Sequence, residues 1–158
     1  ARDGCARQGG GRPAAEGSAM SLSEAATGIC FDCSKSEQFT PQAGLKAWRR
    51  KLQGTTKIFV NKDPITLARL CEASCYAFVA PQARFSVEEF DALREYLRRG
   101  GNLFFLLGEG GEQRLGTNLN YFFEEYGIAV NSDSVVRTVY YKYLHPKEVY
   151  ISGGVLNR

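Results

Sequence analysis

Short apolar runs alternate with stretches of helical periodicity from Thr27 onward. TGICFD (27–32), TKIFVN (56–61), CYAFVA (75–80) and NLFFLL (102–107) read as strands, rich in aromatic and β-branched residues. IAV (128–130) reads as a fifth. NLFFLL lacks polar alternation, which predicts a strand covered on both faces. Between these runs Thr40 offers an N-cap with Pro41 at the first helical position, and Leu45, Trp48 and Leu52 follow at helical spacing up to Gly54. A short helix is expected around 66–72. The clearest helix follows Ser86, whose capping box with Glu89 precedes an apolar stripe of Val87, Phe90, Leu93 and Leu97. Glu88 and Glu89 fill its first turn, Arg98 and Arg99 its last, and Gly100-Gly101 ends it. Thr117 opens a final helix, with Leu119, Phe122, Phe123 and Tyr126 on one face and Gly127 as its stop.

Strands and helices alternating at this spacing predict a mainly parallel sheet with right-handed crossovers, layered α/β/α. Beyond Asn131 the periodicity loosens, and VVRTVYYKYLHPKEVYIS fits strand, helix or both. Residues 1–19 are Gly, Ala and Arg in low-complexity order, with the only methionine, Met20, directly after. They are expected to be a disordered or non-native leader. Residues 20–158 then form the N-terminal part of one α/β domain, truncated at its C-terminus, since GGVLNR carries no capping element.

A hydrophobic fraction of 44% over 158 residues suits one domain with a substantial core. The net charge of +3 is too small to indicate nucleic acid, and no apolar run approaches the roughly 20 residues of a membrane span, so neither nucleic-acid binding nor membrane insertion is expected. Five cysteines, an odd count, fit free thiols in a reducing compartment better than a disulfide framework.

The stretch LGEGGE (107–112) leaves the fourth strand through Gly108, Glu109, Gly110, Gly111 and Glu112. A Walker loop needs a lysine and a hydroxyl after its last glycine, and a dinucleotide fingerprint needs glycine where Gln113 stands. Glu109 and Glu112 would also repel a phosphate. The turn has a nucleophile elbow's backbone freedom but no nucleophile. Its plain reading is a tight strand-to-helix connection with glycines at positive φ. Glutamates at the C-terminal edge of a parallel sheet are still placed to meet a ligand or partner.

Cys30-x-x-Cys33 and Cys71-x-x-x-Cys75 invite a zinc reading. However, Cys33 follows the first strand and Cys71 and Cys75 precede the third, which puts them at opposite sheet edges. Buried thiols are the expectation, with no metal and no cofactor. His145 is the only histidine, and no serine or cysteine is placed to be its nucleophile. Lys46, Arg49, Arg50 and Lys51 form a basic patch opposite the Leu/Trp stripe, read as a solvated face. Tyr140, Tyr141, Lys142 and Tyr143 offer core on one side and a contact surface on the other.

One resemblance goes further. Gly108-Glu109-Gly110-Gly111-Glu112, Thr117-Asn118, Glu124-Glu125-Tyr126-Gly127, Val135-Val136-Arg137, Tyr140-Tyr141-Lys142-Tyr143, His145-Pro146-Lys147-Glu148 and Gly154-Val155-Leu156-Asn157-Arg158 together resemble the N-terminal domain of the fifty-two subunit of intraflagellar transport complex B. The second half of the chain carries this resemblance; residues 20–85 share only the order of elements. It implies a GIFT-type, flavodoxin-like or amidotransferase-like sheet, a type shared with gliding-motility and sugar-related proteins. It also implies a non-catalytic scaffold for cilium and flagellum assembly, found at the cilium, basal body and cytoplasm. The implied partners are other complex B subunits, among them the eighty-eight, seventy and forty-six subunits, and indirectly kinesin and dynein. Laid on the amidotransferase pattern Gly-x-Cys-x-Gly, Gly110 stands where the nucleophile would be and Glu112 replaces the closing glycine. Two other readings remain: a sugar-like ligand domain using Glu109 and Glu112, and a hydrolase or amidotransferase using Cys33 and His145.

Overall fold

The computed structural model describes residues 28–139 and 145–148. Its four strands are β1 (Ile29–Asp32), β2 (Ile58–Asn61), β3 (Cys75–Val79) and β4 (Asn102–Leu106). They form one sheet in the order β2-β1-β3-β4, with every pairing parallel. The helices between them are α1 (Lys46–Leu52), α2 (Leu67–Leu70) and α3 (Val87–Arg98). α4 (Gly111–Leu115), α5 (Asn120–Phe123) and a single 3-10 turn at Glu124–Tyr126 follow β4. The layered parallel α/β architecture expected from the sequence is therefore the fold. The leader at 1–19 and the contact-surface reading of Tyr140, Tyr141 and Lys142 lie outside the described residues.

Strand register assigns the two faces. Cys30, Tyr76, Phe78, Leu103 and Phe105 share one face, which α2, α3 and α5 cover. An aromatic column fills this side. Phe78 stacks on Phe105 at 4.9 Å, Phe105 meets Phe123 edge-on at 4.9 Å, and Phe122 stacks on Phe90 at 5.7 Å. Each such pair adds about 0.5–1.5 kcal/mol beyond the area it buries. The opposite face, with Phe31, Ala77 and Phe104, meets α1 at Trp48. Trp48 lies edge-on to Phe31 at 5.0 Å and to Phe104 at 5.5 Å.

Four local expectations need correction. α1 starts at Lys46 and not after Thr40, because Gly44 sits at φ +89 and breaks the helical path. Thr40 spends its hydroxyl and its carbonyl on the Ala43 N–H within a tight turn. α5 starts at Asn120 and not after Thr117. Asn118 clamps the Phe85 backbone with both side-chain atoms, at 2.7 and 2.9 Å, and this holds the preceding residues out of the helix. Residues 128–130 form no strand. The Asn120 side chain takes both the N–H and the C=O of Val130 at 3.0 Å, in place of a ladder. Finally, β4 is not covered on both faces: it lies at the edge of the described sheet, and Phe104 and Leu106 remain 41% exposed.

The capping box of α3 forms as expected. Ser86 accepts from the Glu89 N–H, and Glu89 accepts from the Ser86 N–H. The helix ends where Gly101 passes over Tyr96, whose hydroxyl donates to the Ala73 carbonyl at 2.8 Å. A Cβ on Gly101 would meet that ring at 2.3–2.5 Å. Tyr96 is fully buried and cannot yield. Gly101→Ala is therefore expected to destabilise the fold by about 2 kcal/mol, measured as a lower urea midpoint with an unchanged slope.

Candidate interaction site at the C-terminal edge of the sheet

β1 is followed by a connection to β2 on one side, and β3 lies on its other side, so the topological switch point falls between β1 and β3. In open parallel sheets this point, at the strands' C-terminal ends, is where ligands and partners meet the fold. Here it is filled by polar groups. Asp32, at the end of β1, is 2% exposed. Its Oδ2 accepts from the Ser34 hydroxyl at 2.7 Å and the Ser34 N–H at 3.2 Å, while Oδ1 accepts from Asn61 Nδ2 at 2.7 Å. Asn61 also donates to the Asp63 carbonyl. Glu37 is likewise buried, and both its oxygens accept from the Lys35 N–H.

Burial is the main cause that pushes the Glu37 carboxyl up to about 8, followed by its hydrogen bond to Asp32 and the charge there. These causes favour the protonated form of Glu37 beside Asp32. The neighbouring thiols also stay protonated, since burial raises both Cys30 and Cys33 to about 11.

The loop that carries these groups is tied to its surroundings. Gln38 N–H donates to the Ala80 carbonyl and Gln82 N–H to the Lys35 carbonyl, which stitches the β1–α1 loop to the exit of β3. Ser36 and Ala80 adopt φ of 54 and 51, a conformation that costs energy for residues other than glycine. Lys35 crosses to α3, where its Nζ meets Glu89 at 2.6 Å with both side chains 12% exposed, and it lies 5.0 Å over the Phe85 ring. Glu89 thus caps α3 and anchors the loop at once.

The glycine turn forms the other half of this edge. Gly110 and Gly111 take positive φ, 85 and 53, and lead directly into α4. Gly108 does not, so the positive-φ expectation holds for two of the three. A Cβ at Gly111 would lie 2.6 Å from the Asn131 carbonyl oxygen. Glu109 pairs with Lys147 and, at 3.8 Å, with Arg114; the Lys147 hydrogen bond holds its carboxyl below the usual range. Glu112 accepts from the Asn120 N–H at 2.8 Å and so caps α5. His145 is exposed, its Nδ1 accepting from the Lys147 N–H, and the Lys147–Glu109 pair brings its segment to the turn. Cys33 lies past the C-terminal end of β1, whereas Cys75 pairs in register with Ile29 at the other edge. Cys33 is thus held apart from Cys75 by the length of the strands, whereas Cys30 pairs with Tyr76, next to Cys75.

Between the turn and the loop lies an apolar cavity of about 380 Å³, lined by Phe39, Leu45, Val79, Leu106 and Gly108 among others. Asp32, Ser34, Glu37 and Asn61 had no place in the sequence reading. One signal was available: an Asp at a strand end with Ser two residues on is the pattern of an Asx turn. The contribution of Glu37 depends on burial, which no local pattern announces.

A family model described as the IFT52 GIFT domain matches residues 28–158. The chain belongs to that family. Intraflagellar transport protein 52 homologs from Mus musculus and Homo sapiens are 47% and 48% identical to it over 130 residues. Those residues make up 82% of this chain and 30% of each relative, so the chain spans less than a third of their length. The solved mmIFT52 N-terminal domain superposes with a TM-score of 0.74 at 47% identity, covering 82% of this chain and 62% of that one. The GIFT fold inferred from the glycine turn and the segments after it is thus the fold observed.

Two predictions follow from the edge's polar core. An ordinary glutamate releases its proton near 4.5, so between there and about 8 the folded chain holds a proton that the unfolded chain has lost. The stability tied to Glu37 is complete below that window and drains as pH rises through it. Glu37→Gln retains the hydrogen bonds without the proton. Its melting temperature relative to the natural chain is expected to rise between about pH 5 and pH 8. Lys35→Met leaves the Glu89 carboxylate unpaired and nearly buried, and a loss of about 2–3 kcal/mol in denaturant unfolding is expected.

Proposed function

We propose that this chain is a non-catalytic structural part of the intraflagellar transport B complex, a protein-interaction scaffold for building cilia and flagella. Its partners are the other complex B subunits and, indirectly, kinesin and dynein motors, and it resides in the cilium, at the basal body and in the cytoplasm. The single observation that carries this reading is the match to the IFT52 GIFT domain along residues 28–158, with relatives named intraflagellar transport protein 52 homolog.

The chemistry of the edge agrees. The turn at residues 108–112 has the bend of a nucleophile elbow and glycine and glutamate for side chains. Cys33 is held as a neutral thiol, which is a poor nucleophile. Glu109 and Glu112 are spent on an ion pair and a helix cap. The apolar cavity beside them suits a partner's hydrocarbon side chain better than a sugar, which needs convergent hydrogen-bond donors and acceptors.

The test uses the full-length protein in ciliated cells. The tagged protein is expected to co-purify with complex B subunits and to travel along the axoneme. Deleting the segment that corresponds to 28–158 is expected to shorten cilia. The double variant Cys33→Ala, His145→Ala is expected to support cilia of normal length. Absence of complex B subunits and an unchanged cilium on deletion would refute the scaffold role; loss of cilia in the double variant at normal protein level would refute its non-catalytic character.

A further inference from the structure

Charge is segregated in this domain. Residues 38–62 hold six bases, Lys46, Arg49, Arg50, Lys51, Lys57 and Lys62, and no acid, so they carry +6 in a chain whose net charge is +3. The rest therefore sums to −3. None of the ion pairs among the described residues uses any of the six. A field of one sign left without counter-charges selects for a partner of the other sign.

The same stretch contains β2, which has a strand on one side only among the described residues. Ile29 N–H donates to the Lys57 carbonyl and Cys33 N–H to the Asn61 carbonyl. Alternation along a parallel strand then turns the N–H and C=O of Ile58 and Val60 outward. Phe59 and Val60, on opposite faces, are 41% and 38% exposed. Two consecutive large apolar side chains at a sheet edge, with backbone donors and acceptors unpaired among the described residues, form a template for an added strand. A groove of about 490 Å³ runs beside this edge, and a second of about 430 Å³ lies on α1; Gln42, Arg49 and Gln53 line both. Val60 lines the larger one with Lys57.

We propose that the β2 edge is a docking site for an extended segment of a partner protein in which acidic and apolar residues alternate. The strand's backbone bonds to Ile58 and Val60, the apolar residues cover Phe59 and Val60, and the acids meet Arg49 and Lys57. A second copy of this chain is a poor occupant, because pairing two such edges opposes one set of six bases to another. Phosphate-rich ligands such as RNA or a lipid surface would use the bases and leave the strand edge and its apolar side chains unused. The site rests on the protein-interaction role proposed above and assigns that role a surface and a partner chemistry.

The test uses the full chain and a fluorescent peptide of about ten alternating Glu and Val residues, compared with poly-Glu of equal length. A single-stranded RNA and vesicles of phosphatidylserine with phosphatidylcholine are the other probes. The alternating peptide is expected to bind at least about tenfold more tightly than poly-Glu, and Arg49→Glu with Lys57→Glu to weaken it at least about tenfold. Val60→Pro, which removes an outward N–H without breaking the β1 pairing, is expected to do the same. Melting temperatures identify variants that retain the fold, and the exposed charge reversal decides if Val60→Pro does not. Equal binding of poly-Glu, tighter binding of RNA or vesicles than of the peptide, or unchanged binding by the charge-reversed protein would overturn the proposal. Co-purification separates it from the broader role. Complex B subunits retained equally by natural and charge-reversed full-length protein would remove this site and leave the role standing, whereas retention by neither would remove the role itself.

Discussion

Asp32 closes β1 with a carboxyl group that lies inside the protein and accepts hydrogen bonds from Ser34 and from Asn61 at the end of β2, with the Glu37 carboxyl, its proton affinity raised by burial, beside it. A buried carboxyl without such partners would cost several kcal/mol. With them it fixes three things at once. β2 is held level with β1, the loop after β1 is folded back over the sheet's edge, and that loop is carried far enough for Lys35 to reach Glu89 on α3. The C-terminal edge of the sheet is therefore closed by structural polar contacts at the position where parallel folds usually keep an open crevice.

This explains why an edge shaped for chemistry holds so little of it. The glycine turn after β4 makes the sharp bend of an elbow, and its two glutamates are occupied by Lys147, Arg114 and the start of α5. The thiols at the end of β1 are desolvated and neutral. What the edge presents is apolar: the cavity beside Phe39 and Leu106, on the sheet face that Trp48 packs against. Packing surfaces of that kind suit a protein that works by contact with others.

Local signals in the sequence carried through to the structure, and relational ones did not. Ser86 and Glu89 announce α3 because a capping box is complete within four residues. The strands announce themselves through composition, and the order of strands and helices is enough to give a parallel sheet. By contrast, the aborted helix at Thr40 depends on a positive φ at Gly44, and the missing strand at 128–130 depends on Asn120 claiming the Val130 backbone. Asp32 and Asn61 lie 29 residues apart and meet only because β1 and β2 are neighbours. Which strand forms an edge is likewise a property of topology: TKIFVN has the composition of any strand, and only the order β2-β1-β3-β4 leaves the backbone of Ile58 and Val60 facing outward. The basic residues of α1 were legible as a charged face, but not as one bank of a groove along that edge.

The most direct measurement is the pH titration of the Glu37 side-chain carboxyl by carbon-13 NMR, followed together with the amides of Ser34 and Lys35. A midpoint near 8, with both amide signals moving in step, is expected if a shared proton between Glu37 and Asp32 holds the loop in place. A midpoint in the ordinary carboxylate range, with the two amides unmoved, would show that the loop is held by other means and contradict the central role given to this pair.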